Sequence, residues 1–171
     1  MKYLLAAIIG LTLATAERPV VNVPKAARQS NWLGSQGEGS CVIASTISLL
    51  RWQGRYKMAE RWRSQYSNGQ GPESLAAKFE ANGMRFAETI SGDIRFLEWA
   101  VRTRRGCGVT VMGGSHMVTL VGLDKKFAYL LDNNAVESFI VVPRATFLAE
   151  WRASYGWAVT PVYCPAAPLP Q

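Results

Sequence analysis

Cys41 is the residue of this chain whose setting most invites covalent chemistry. It closes the stretch Gln36-Gly37-Glu38-Gly39-Ser40-Cys41, and an apolar pattern of helical period follows at once through Val42, Ile43, Ile47, Leu49 and Leu50. The thiol is therefore expected at a helix N-terminus, behind a glycine-containing loop that lets other groups approach. Unsatisfied backbone N–H groups and the positive end of the helix dipole stabilise a thiolate there. The same N–H groups can receive an oxyanion. A cysteine nucleophile needs this electrostatic setting. The plain alternative is a small buried apolar residue.

A thiolate nucleophile needs a base, and His116 is the one histidine in the sequence. It follows Gly113-Gly114-Ser115 and opens the strand pattern Met117-Val118-Thr119-Leu120-Val121. A lone histidine is often structural, but the glycines before it argue for close approach by a ligand or another backbone. Asp132 lies 132 − 116 = 16 positions on, at the end of Phe127-Ala128-Tyr129-Leu130-Leu131. The intervening residues read as a strand, a tight turn at Asp124-Lys125-Lys126 and a returning strand. In such a hairpin the start of one strand lies beside the end of its partner, so His116 and Asp132 are expected to be neighbours. A carboxylate there can orient the imidazole while the other ring nitrogen faces the nucleophile. Asn133 is the alternative orienter, and the Asp-Asn-Asn run is also an ordinary turn former.

Two further cysteines remain. Cys107 precedes an apolar strand and Cys164 follows another, so the two are candidates for a disulfide that would leave Cys41 as the free thiol. The opposing reading is that all three are small buried apolar residues.

The elements that would position these groups change character along the chain. Helices are predicted over residues 41–53, 57–66, 72–82 and 94–103, the third opening on Pro72-Glu73 and stopping at Asn82-Gly83, the fourth capped by Asp93. Strands are predicted over 84–89, 109–112, 117–123, 127–131, 139–142 and 157–163, with a short helix after Pro143. Helices first and an antiparallel sheet second make an α+β layout.

The 171 residues suit one domain, and 49% hydrophobic content with six Trp supplies a core, which excludes a disordered or fibrous chain. Residues 1–16 read as a signal peptide: a basic start at Lys2, an apolar run too short to span a bilayer, and the small-residue site Ala14-Thr15-Ala16. Export, to the periplasm or the medium, is the expectation. Residues 17–30 form an extended lead-in, 31–163 the folded domain and 164–171 a Pro-rich tail. The formal charge of +7 favours anionic partners, among them wall polymers, lipid headgroups or another anionic cell-envelope surface, acidic substrates and nucleic acid. No Cys/His metal pattern or phosphate loop is present, so no metal, cofactor or nucleic acid is expected, nor a transmembrane segment after signal removal.

The order Cys, His, Asp, with the cysteine opening a helix and the other two on a hairpin, resembles the papain-like cysteine peptidases. More closely it is similar to the bacterial double-glycine leader peptidase domains and their stand-alone relatives. The matching segments are Gly39-Ser40-Cys41-Val42-Ile43-Ala44-Ser45, Gly71-Pro72-Glu73-Ser74-Leu75-Ala76, His116-Met117-Val118-Thr119-Leu120-Val121-Gly122 and Tyr129-Leu130-Leu131-Asp132. The resemblance implies N-terminal helices packed on an antiparallel sheet, Cys41 as nucleophile, His116 as general base and acid, and Asp132 as orienter. It also implies an oxyanion donor upstream of the cysteine: Gln36, one position closer than the usual spacing, with Gln29 as the fallback. Peptide or protein is the implied substrate. Two departures stand out, Asn133 where relatives commonly carry proline and the absence of a fused exporter. The alternatives are a catalytically idle module binding peptide or wall material, and another thiol acyl-transfer enzyme such as an amidase or transglutaminase-like protein.

Overall fold

In a computed structural model of the chain, which describes residues 23–32, 39–67 and 69–167, helix α1 (Cys41–Trp52) is the element around which the others pack. It is buried without interruption from Cys41 through Leu50. A helix so enclosed cannot leave its polar side chains bare. Thr46 Oγ1 donates to the Val42 carbonyl at 2.9 Å, and Ser48 Oγ accepts the Gln29 N–H at 3.0 Å. The expected signal peptide and Gln36 lie outside the described residues.

Helices α2 (Tyr56–Gln65) and α3 (Pro72–Ala81) pack beside α1. Trp62 stacks on Phe79, with ring centroids 5.0 Å apart, and Phe79 stacks on Phe86 at 4.9 Å. Offset aromatic pairs of this kind add to the stabilisation from burial itself. The Gly71 N–H donates to Ser74 Oγ at the start of α3, and Gly83, at φ 60°, ends it in the left-handed conformation that glycine adopts freely.

The remaining chain builds one antiparallel sheet from β1 (Phe86–Thr89), β2 (Cys107–Val111), β3 (His116–Leu123), β4 (Phe127–Leu131), β5 (Ile140–Pro143) and β6 (Ala158–Pro161). Their order across the sheet is β1-β6-β2-β3-β4-β5. The β3–β4 hairpin turns at the expected place, its ladder running from Leu123↔Ala128 to Thr119↔Leu131 with one irregularity near Val121. Strand β2 begins two residues earlier than the apolar pattern indicated. Cys107 already pairs with Leu120, and Met112, at φ 56°, ends the strand.

Helices cover both faces of this sheet. Met117 and Val159 point toward α1, α2 and α3. Their strand neighbours Val118 and Ala158 point the other way, toward α4 (Ile94–Arg102) and α5 (Arg144–Ala153), where Leu97, Ala100, Phe147 and Trp151 are buried. Side-chain alternation along a strand produces these two cores. Asp93 caps α4 through the Arg95 N–H, as expected. Among the described residues no helix is long and apolar enough to cross a membrane.

Candidate active site

The site lies where the N-terminus of α1 meets the open end of the β3–β4 hairpin. Ser40 occupies the N-cap position of α1 without capping it. Its hydroxyl is drawn away to Asn31 Oδ1 and to the Trp32 N–H, the latter at 2.9 Å. The first-turn N–H groups are thus left without that oxygen, and Cys41 stands among them.

Cys41 is 8% exposed. Burial pushes its thiol pKa up, and this is the largest single influence. A hydrogen bond with His116, the N–H groups of Met117 and Val42, and the charge on His116 together outweigh it, holding the pKa below the ordinary thiol value. His116 moves the other way. Its hydrogen bond with Cys41 raises its pKa most, burial opposes, and the Asp132 carboxylate adds a hydrogen bond and a charge that raise it further. A lowered thiol beside a raised imidazole favours proton transfer from sulfur to ring more than either group would alone.

Asp132 completes the line. His116 Nε2 lies 2.9 Å from Asp132 Oδ1, which leaves Nδ1 for Cys41. The same Oδ1 accepts the Asn134 N–H at 2.9 Å, so the carboxylate is fixed from its own turn. Sixteen residues apart in the chain, the imidazole and carboxylate meet because β3 and β4 pair antiparallel. The approach that the glycines before His116 permit is made by a side chain. Gly114, at φ 88°, sits against the Tyr155 ring, and a Cβ built on it would lie 2.5 Å from that ring.

Several sequence expectations are corrected. Asn133 does not reach the imidazole. Its side chain is buried and turned toward Cys41, Ser45 and Met117, because the chain leaves β4 at Leu131 and enters a turn, closed by the Ala135 N–H on the Asp132 carbonyl at 3.0 Å, that separates the directions of residues 132 and 133. Gln29 is remote from the thiol. Its Oε1 accepts from Arg51, near the far end of α1, and its amide donates to the Ser30 carbonyl. Cys107 and Cys164 are both free. The register of β2 aims Cys107 into the core under α4 and α5, whereas Cys164 lies exposed beyond the end of β6. Sequence reasoning missed the anchoring of the α1 entry by Asn31, for which no local pattern gives a signal. Among the described residues no group of three or more His, Cys, Asp and Glu is arranged to hold a metal.

Solved structures with this architecture exist. One is described as a C39-like peptidase from Bacillus anthracis, with a TM-score of 0.59 and 15% identity over 85% of this chain and 97% of that one. Another is a double glycine motif protease from an AMS/PCAT transporter in complex with the leader peptide, with a TM-score of 0.51 and 17% identity over 79% of this chain and 94% of that one. No protein-family model matches the chain. No curated protein sequence matches it either. The fold is the papain-like fold of the C39-like peptidases.

Proposed function

We propose that the chain is a cysteine peptidase that hydrolyses amide bonds through Cys41, His116 and Asp132. The observation that carries this reading is an imidazole held by a carboxylate at 2.9 Å beside a thiol that opens a helix, an arrangement that lowers the thiol pKa despite burial. A buried thiol with only a packing role has its pKa raised by burial.

The Cys41 thiolate attacks the substrate carbonyl carbon, and the developing oxyanion turns toward the N–H groups at the start of α1. The His116 imidazolium gives its proton to the departing amine as the C–N bond breaks, leaving a thioester on Cys41. The neutral imidazole then takes a proton from water, whose oxygen attacks the thioester and releases the acid and the thiolate. Asp132 keeps the imidazole turned and supports its positive charge. Gln36 is the proposed second oxyanion donor.

Peptide is the substrate class, since a fold neighbour is solved with a leader peptide bound. Export fits the basic, apolar and small-residue pattern of residues 1–16, and a mature N-terminus at Glu17 in secreted material would agree with it. The deciding experiment incubates the purified protein with a mixed peptide library, in water and with an added primary amine, and identifies the products by mass spectrometry. New peptide ends that vanish in Cys41→Ala support a peptidase. Amine-capped products instead of acids would make it an acyltransferase, and no product with either acceptor would reject the reading.

A further inference from the structure

Asn133 follows Asp132 and is 3% exposed. Its side-chain Nδ2 lies 2.8 Å from the Met117 carbonyl, 3.2 Å from the Cys41 carbonyl and 3.2 Å from Ser45 Oγ. Ser45 Oγ in turn approaches the Met117 carbonyl at 3.4 Å. These acceptors belong to two elements, the first turns of α1 and the residue after His116 in β3. One amide therefore joins the nucleophile's own peptide to the peptide beside the imidazole. The last β3–β4 pair on this side is Thr119↔Leu131. Carried two positions further, the ladder would set residue 117 opposite residue 133. The side chain supplies a bond there after the backbone pairing has stopped.

The position selects a neutral donor. Two of the three acceptors are carbonyl oxygens, which cannot donate, so an aspartate or a flipped amide would set oxygen against oxygen. The amide is held at a cost, because its Oδ1 is buried with no hydrogen-bond partner among the described residues. Its backbone is tied in as well. The Asn133 carbonyl accepts the Asn31 N–H at 2.7 Å, and Asn31 Oδ1 accepts the Ser40 N–H at 3.0 Å, immediately before Cys41.

We propose that Asn133 is a positioning residue that sets the separation of Cys41 and His116 by clamping the peptides of Cys41 and Met117 to one amide. Its kinetic consequence rests on the peptidase reading; the clamp itself does not. Among the described residues, the titratable side chain acting on Cys41 is His116, and those acting on His116 are Cys41 and Asp132. Loosening the clamp should therefore show first in the coupling of thiol and imidazole.

The test follows the rate of Cys41 alkylation by iodoacetamide against pH in the parent, Asn133→Ala and Ser45→Ala, with peptide mapping to separate Cys41 from Cys107 and Cys164. The thiolate limb should move to higher pH in Asn133→Ala, and in the same direction but less in Ser45→Ala. Turnover of a cleaved peptide should fall on the order of 10²-fold in kcat for Asn133→Ala, with KM little changed, as expected for misplacement of reacting groups by about an ångström. A folded Asn133→Ala with the parental limb and kcat, losing only melting temperature, would make the residue merely structural and overturn the proposal. Should Asn133→Ala not fold, an unmoved limb in Ser45→Ala overturns it equally. A parent that cleaves no peptide rejects the peptidase reading, while the alkylation limb still reports on the clamp.

Discussion

Cys41 and Cys107 are both buried, one at the junction of α1 with the β3–β4 hairpin, the other in the core that α4 and α5 form on the opposite face. Their acidities part in opposite directions. Burial alone acts on Cys107 and raises its pKa far above the ordinary thiol value. Burial acts on Cys41 too, but His116 and the N–H groups of Met117 and Val42 reverse its effect. Low exposure thus says little about whether a thiol is reactive. What matters is whether donors converge on the sulfur once water has left.

The largest effect should come from removing the reactive member of the pair. Cys41→Ala is expected to lower peptide turnover on the order of 10⁴-fold or more, as loss of a nucleophile does in other triads. Cys107→Ala should leave kcat within about twofold, because nothing links that sulfur to His116. Initial rates on one peptide suffice. If the Cys107 variant were the inactive one, the assignment of roles to the two faces would be reversed.

Asp132 offers the next largest change. Asp132→Ala should reduce kcat on the order of 10²-fold, less than for a fully buried orienting aspartate, since its side chain is 21% exposed. The sign of the pH effect follows from the shifts. The shifts of Cys41 downward and His116 upward both favour the thiolate–imidazolium form, and the raised His116 pKa sets where its proton is lost as pH rises. Removing the carboxylate takes away two of the influences that raise His116, so the alkaline limb of kcat/KM should move to lower pH and the active window narrow from that side. An alkaline limb that stays put would mean that Asp132 does not act through the imidazole.

Much of this junction was legible in the chain. Gly39-Ser40-Cys41 ahead of a helical period places a thiol at a helix start, and the hairpin spacing brings His116 to Asp132, because both inferences use local periodicity and short-range pairing. The far face was not legible in the same way. Whether Cys107 points under α4 and α5 or toward α1 depends on the register of β2 against β3 and β6, which a one-residue slip inverts. The role of Asn133, the alternative orienter, was hidden for a related reason. Its neighbourhood in sequence is a turn, and the partner that makes it a clamp, the Cys41 carbonyl, lies 92 positions away. Long-range contacts of a single amide leave no pattern.

Cys107 should show its own role as stability. Cys107→Ser puts a hydroxyl into the buried apolar cluster that also holds Leu97, Ala100, Val109 and Leu120. With no partner there, a cost of about 1–3 kcal/mol is expected. A denaturation midpoint lowered accordingly at unchanged slope would agree. Native Cys107 should also resist alkylation until the protein unfolds. Rapid labelling of Cys107 under conditions that preserve turnover would show that the α4–α5 core opens readily, and would weaken the contrast with Cys41.

The smallest expected effect belongs to Cys164, and it bears on the pairing that the cysteine count alone invited. Cys164 is exposed beyond β6 and unbonded, so Cys164→Ser should change stability by no more than about 0.5 kcal/mol and leave turnover as it was. A disulfide to Cys107 would close a long loop, and breaking it would typically cost 2–5 kcal/mol. The two outcomes are well separated in a denaturant titration of protein purified without reductant. A large loss in Cys164→Ser, mirrored in Cys107→Ala and abolished by reductant, would mean that the sulfurs pair in the oxidised protein. Cys107 would then have to turn out of the α4–α5 core, and the register of β2 would have to change with it.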